Sequence, residues 1–321
     1  MKHKYIFTAL LLLLLTAAGA LTVQLGKEDR TENEAELRVV TSFYPMYVAA
    51  ENIMGDIPGV TLSNLTEPQT GCLHDYQLTP QDMVLLSTAD LFIINGGGIE
   101  SFAEEVAGEY PQLTILTASE GIPFLTEGGI SDGLDFGEED HEHDHGHDHG
   151  EMNAHVWMDV SRYEQEVENI AAGLAALDPE HADAYRGNTD AYVQRLDALK
   201  EKVKELKGRG AGKKIIIFHD AFAYFADASG MEISYVIDMD ENTSLSANMV
   251  SELVELVRAD DIDLLFAEAQ YGTKIADAVS RETGAKVYVL DSLVTGDMDK
   301  DSYIRGMEEN LRILEEALKE E

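Results

Sequence analysis

Short β-rich runs separated by amphipathic stretches recur in two blocks of this chain, and that alternation constrains its fold more than any other feature. A strand followed by a helix-length connection pairs in parallel with the next strand, so the pattern predicts an α/β protein with parallel sheets. In the first block the predicted strands are Leu37 to Ser42, Val60 to Leu65, Leu91 to Asn95 and Thr114 to Leu116. Helices are predicted near Met46 to Met54, Thr79 to Ser87 and Ile99 to Gly108. The second block repeats the rhythm, with strands at Lys214 to Phe218, Ile233 to Val236, Leu264 to Phe266 and Val287 to Leu290. Its helices are Ala221 to Ser229, Ser246 to Ala259, Lys274 to Thr283 and Asp301 to Leu318.

A different segment joins the blocks. Asp159 to Leu177 reads as one helix, and Pro179 suits the first turn of a second that runs to about Lys207, before Gly208, Gly210 and Gly212. Roughly 29 residues at 1.5 Å each give a rod of about 43 Å, long enough to connect two lobes and limit their hinging. The domain reading is therefore an N-terminal lobe over 37–158, linking helices over 159–211 and a C-terminal lobe over 212–321.

The first 20 residues read as an export signal: Lys2 and Lys4, an apolar run from Ile6 to Leu15, then Ala18-Gly19-Ala20. An uncleaved anchor over Ile6 to Val23 is the alternative. Residues 21–36 are a polar tether. Both readings place the protein outside the cytoplasm. The 61 acidic and 23 basic residues give a formal net charge of −38, which excludes a nucleic-acid partner, since phosphate binding needs a basic face. The expected state is a monomer.

The ten histidines are placed unevenly. His141, His143, His145, His147 and His149 alternate with acidic residues and glycine inside a low-complexity stretch, residues 126–151, which reads as a surface loop. Such a tract should bind metal ions weakly and exchange them quickly. His181 reads as a solvated helix residue. The other three outside the leader fall at element junctions. Ligands in open α/β sheets gather at the carboxyl ends of the strands, and His219 directly follows one predicted strand and Asp291 another. His74 lies between a strand and a helix, and His155 closes the low-complexity stretch. Two candidates come from each block, so a site would lie between lobes. Three imidazoles and one carboxylate suit tetrahedral Zn²⁺; Mn²⁺, which leans toward oxygen donors, is the runner-up. Glu268 is a reserve ligand, otherwise a strand-end carboxylate bonded to backbone. Cys72, the sole cysteine, is a lesser candidate and reads better as a small buried residue. Asp75 and Asp220 neighbour ligands and could orient imidazoles or cap helices.

These same residues carry a resemblance. Leu73-His74-Asp75-Tyr76-Gln77-Leu78-Thr79-Pro80, Asn153-Ala154-His155-Val156-Trp157-Met158-Asp159 and Phe218-His219-Asp220-Ala221-Phe222-Ala223-Tyr224-Phe225 resemble the three histidine motifs of the zinc/manganese solute-binding proteins of ABC transporters. Ile94-Asn95-Gly96-Gly97-Gly98-Ile99-Glu100 is similar to a turn of that family's first lobe, and Val289-Leu290-Asp291-Ser292-Leu293 to its last ligand segment. The resemblance spans residues 38 to 318. It implies two Rossmann-like lobes with parallel four-stranded sheets, joined by a single long backbone helix, with metal between them. By motif the implied ligands are His74, His155, His219 and Asp291, although family members complete the shell with Asp, Glu or water. Leu73 stands where the family often has Pro or Glu, and Val160 and Ser292 each replace a frequent proline.

The expected function is capture of extracytoplasmic Zn²⁺ and delivery to an ABC permease, with Mn²⁺ or Fe²⁺ as alternative cargo. No enzyme is expected: a zinc hydrolase would show an His-Glu-x-x-His helix or an His-x-His-x-Asp-His loop; the first spacing falls only at His141 to His145, inside the tract read as a loop and on no predicted helix, and the second does not occur. An extracellular metal-buffering or adhesive protein is the remaining alternative. Acid should release the metal, because imidazole must be neutral to bind it.

Overall fold

Strand β1 (Leu37–Thr41) leads into helix α1 (Tyr44–Met54), and β2 (Val60–Asn64) pairs with it in parallel, Val39 opposite Leu62. The computed structural model describes residues 37–67, 73–74, 76–126, 152–237, 247–269 and 272–319. The predicted leader and tether, the histidine tract 141–149, Cys72 and Asp75 lie outside the described residues.

Helix α2 (Pro80–Ser87) follows, then β3 (Leu91–Ile94), α3 (Ala103–Glu109) and β4 (Thr114–Thr117). All pairings in this sheet are parallel and its order is β2-β1-β3-β4. Strand β3 reads Leu-Phe-Ile-Ile with every residue buried, the continuous apolar run expected of a strand covered on both faces. Helix α2 starts where its sequence dictates. Thr79 Oγ1 accepts from Asp82 N at 3.3 Å, and the Asp82 carboxylate accepts from Thr79 N at 2.7 Å, a capping box with Pro80 in the first turn.

A two-residue antiparallel pair, β5 (Leu125–Thr126) with β6 (Met152–Asn153), brings the two sides of segment 127–151 together. A 3₁₀ turn (Val156–Met158) then opens into α4 (Val160–Leu177), capped by Asp159. Helix α5 (Ala182–Gly210) is 29 residues long, so the rod has the predicted length but is shifted three residues along the chain. It does not begin at Pro179. The Asp178 carboxylate accepts from His181 Nδ1 at 2.7 Å and from the Tyr185 hydroxyl at 2.8 Å, which holds 178–181 as a turn and makes His181 the N-cap residue rather than a solvated helix position. At the far end the helix passes Gly208. It stops at Gly210, where an added Cβ would lie 2.4 Å from the Ser229 carbonyl oxygen.

The second block gives β7 (Lys214–Ile217), α6 (Phe222–Ser229), β8 (Glu232–Val236), α7 (Ala247–Asp260), β9 (Leu264–Glu268), α8 (Thr273–Thr283), β10 (Lys286–Leu290) and α9 (Ser302–Ala317). Its sheet is parallel throughout, in the order β10-β9-β7-β8. Numbered within its own block, each sheet has the strand order 2-1-3-4. One apolar core runs from Val39 and Ile93 of the first sheet, through Tyr163, Tyr192 and Leu196 of the linking helices, to Ile215 and Phe266 of the second. Separate clusters cover the outer faces. Tyr163 stacks on Tyr303 with ring centroids 3.8 Å apart, and the Tyr303 hydroxyl donates to the Trp157 carbonyl at 2.7 Å. Among the described residues no helix is long and apolar enough to cross a membrane.

Candidate metal centre

The second sheet reverses direction between β7 and β9: the chain leaves β7 for β8 on one side and returns to β9 on the other. Such a switch point opens a crevice at the carboxyl ends of the strands. His219 sits two residues beyond β7, and Glu268 is the last residue of β9. Phe218 N donates to the Phe266 carbonyl at 2.9 Å, which keeps the strands paired up to the site. The His219 ring is nearly buried, and its Nδ1 lies 2.7 Å from Glu268 Oε2. A carboxylate accepts, so Nδ1 carries the proton and the lone pair of the neutral ring is on Nε2.

His155 arrives from the other block. It is 2% exposed, and Asn153 Oδ1 accepts from both its backbone N at 3.0 Å and its Nδ1 at 2.9 Å. The Asn153 amide is oriented by its other end, since Nδ2 donates to the Asp220 carbonyl at 3.0 Å. One asparagine thus fixes the tautomer of His155 and joins its segment to the residue after His219. Ring centroids of His155 and His219 are 5.2 Å apart, and His74 completes the row at 5.6 Å from His155.

Those separations have a chemical meaning. With Zn–N bonds of about 2.0 to 2.1 Å, each ring centroid stands about 3.2 Å from the ion, and a tetrahedral angle then sets centroids about 5.2 Å apart. The His155–His219 pair stands at that spacing and the His74–His155 pair close to it. Among the described residues, however, no group of three or more His, Cys, Asp or Glu side chains is already drawn into a metal-holding cluster.

Asp291 directly follows β10. Asn310 of α9 grips its backbone twice, accepting from Asp291 N at 2.9 Å and donating to Asp291 O at 2.7 Å. Asp291 Oδ1 in turn accepts from Leu293 N at 2.8 Å, and Leu293 is held at φ +55, a strained conformation for a non-glycine residue. Burial, the larger cause, and the nearby Glu268 charge push the Asp291 carboxyl up, against the pull of the Leu293 N–H.

The carboxylate of Glu268 takes side-chain partners rather than the backbone contacts expected of it: His219 on Oε2, and the Ser292 hydroxyl on Oε1 at 2.5 Å. Asp220 is not the cap of α6, a place taken by Ala221. Trp157 is fully buried beside His155, ring centroids 5.1 Å apart. Tyr76 packs on Phe102 and donates to Asp82. Sequence reading missed Asn153 and Ser292. Asn153 had a local signal, because an asparagine side chain readily reaches the N–H two residues on. Ser292 had none, since its partners are distant in sequence.

Two doubly wound lobes sharing a core, with imidazoles from both blocks meeting at strand ends, define a metal solute-binding protein of the ABC-transporter type. The comparisons agree. The family model described as zinc-uptake complex component A, periplasmic, matches residues 39–317, and the chain belongs to that family. It is 30% identical over 324 residues to the high-affinity zinc uptake system protein ZnuA of Bacillus subtilis, covering 99% of this chain and 98% of the relative. It is 26% identical over 320 residues to the manganese-binding lipoprotein MntA of Halalkalibacterium halodurans, covering 97% of each. In fold it matches the Zn(II)-bound ZnuA-like domain of Streptococcus pneumoniae AdcA, with a TM-score of 0.72 at 24% identity over 88% of this chain and 99% of that one.

Proposed function

We propose that this protein captures one Zn²⁺ outside the cytoplasm, in the crevice between the blocks, and delivers it to an ABC permease. The ligands in this reading are His74, His155, His219 and Asp291. One observation carries it: imidazoles from three separate segments gather, the His155 ring standing 5.2 Å from that of His219 and 5.6 Å from that of His74. Two of those rings have Nδ1 committed to a partner, which puts the lone pair on Nε2. The mutual repulsion of Asp291 and Glu268 also favours a dication beside them. A shell filled by protein leaves no position for a reactive water, so the protein binds and does not catalyse. It acts as a monomer. The described part divides functionally into lobes over 37–158 and 212–321 with the linking helices 159–211 between them. The tract His141 to His149 gathers metal more weakly; deleting residues 138–150 should lower metal stoichiometry and spare one tight site.

Competition titration of the metal-free protein with Zn²⁺ and Mn²⁺ tests the reading. Zinc should bind at one tight site and manganese more weakly. Manganese binding tighter than zinc would overturn the cargo and favour the second reading, capture of Mn²⁺ or Fe²⁺, for which the manganese-binding relative is the supporting observation.

A further inference from the structure

Glu268 is 3% exposed, and a carboxylate so removed from water must have its lone pairs filled. His219 Nδ1 fills one side and the Ser292 hydroxyl the other. Ser292 is itself fully buried, and its backbone carbonyl accepts from the Trp157 indole N–H at 2.9 Å. Trp157 stands two residues after His155 and packs against that ring. A continuous path therefore runs from the His155 segment through Trp157, Ser292 and Glu268 to His219.

We propose that Glu268 and Ser292 are positioning residues of the metal centre: a buried relay that locks His219 as the Nδ1–H tautomer and ties its ring to the segment carrying His155. The inference rests on the reading of His219 as a ligand. A neutral imidazole has one N–H and one lone pair, so anchoring the proton at Nδ1 commits Nε2 to the metal. An ionised partner also makes the ring a stronger donor, and a ring already oriented loses less freedom on binding. Ser292 holds the opposite oxygen of Glu268, which keeps the carboxylate turned to the imidazole and out of the coordination shell. Glu268 is in this account a support and not a ligand.

Ring nitrogen NMR of ¹⁵N-histidine-labelled, metal-free protein at pH 8, with zinc affinity measured in parallel, tests the proposal. His219→Ala assigns the His219 signals. In the unmodified protein His219 should show Nδ1–H. Glu268→Ala should lose that tautomer and weaken zinc binding by about 10–100-fold. Glu268→Gln, which keeps an oxygen acceptor, should retain the tautomer with a smaller loss, and Ser292→Ala should cost a few-fold. Retention of Nδ1–H in Glu268→Ala with affinity within twofold would overturn the proposal. If Glu268→Ala does not fold, the other two variants decide: unchanged ring signals and affinity in Ser292→Ala, with an undiminished Glu268→Gln, would also overturn it. Zinc affinity unchanged in His219→Ala would instead sink the ligand reading, while the tautomer still reports whether Glu268 sets the ring.

Discussion

The two sheets share one strand order, and each places a buried glutamate at its switch point, yet the two carboxylates have opposite uses. In the first block Glu100 sits in the turn after β3. It accepts from Asn95 N at 2.8 Å, Gly96 N at 3.0 Å and the Ser42 hydroxyl at 2.8 Å. These donors belong to the ends of β1 and β3, so the carboxylate closes the crevice by satisfying the backbone. In the second block Glu268 at the end of β9 accepts from an imidazole and a serine hydroxyl. The same topological position is a plug in one lobe and a brace for the His219 ring in the other. Architecture supplies the crevice; the donor that reaches the carboxylate decides its role.

The largest expected effect comes from His219→Ala, which should weaken zinc binding by more than about 100-fold, since losing a ligand should exceed loss of an outer partner. Its metal-free melting temperature should fall as well, as read by calorimetry, because the buried Glu268 carboxylate loses a partner. Glu100→Ala should act on stability alone. It strands three buried donors and should cost about 2–3 kcal/mol in denaturant unfolding, with zinc affinity within twofold. A large affinity loss in Glu100→Ala would erase the contrast between the lobes.

Gly96→Ala sharpens the comparison at the plug. Gly96 has φ +92, and a Cβ there would lie 2.4 Å from Thr117 Cγ2, so the substitution should cost about 1–2 kcal/mol in the same assay. The smallest effect concerns Glu166 of α4, which is fully buried with neither oxygen hydrogen-bonded among the described residues. Burial foremost, then the Glu100 charge, pushes its carboxyl well above the usual range. A raised folded value means stability is fully present below the unfolded carboxyl pKa, near 4.3, and is lost as pH climbs toward the folded value. Glu166→Met should therefore raise the melting temperature more at pH 8 than at pH 5. An equal gain at both pH values would show that Glu166 does not stay protonated in the fold.

Much of this was legible in one dimension. The strands were readable because buried parallel strands are runs of apolar residues, as in Leu91–Ile94 and in Leu264–Glu268 up to its closing glutamate. Starts of helices were readable where the cap is local, as at Thr79 and Asp159. The start of α5 was misplaced because Asp178 binds His181 and Tyr185 across a turn, a choice no propensity records. Ring partners divided the same way: Asn153 acts on a residue two positions on, whereas Glu268 reaches His219 across 49 residues.

The sequence by itself determined the parallel α/β class, the two-block layout, the long connecting helix and the candidate donors, since each follows from local periodicity or from the chemistry of a residue type. Only the tertiary structure decided which donors meet, which nitrogen of each ring keeps its proton and which buried glutamate braces an imidazole. Those outcomes depend on distances between segments that the chain brings together only when the sheets pack.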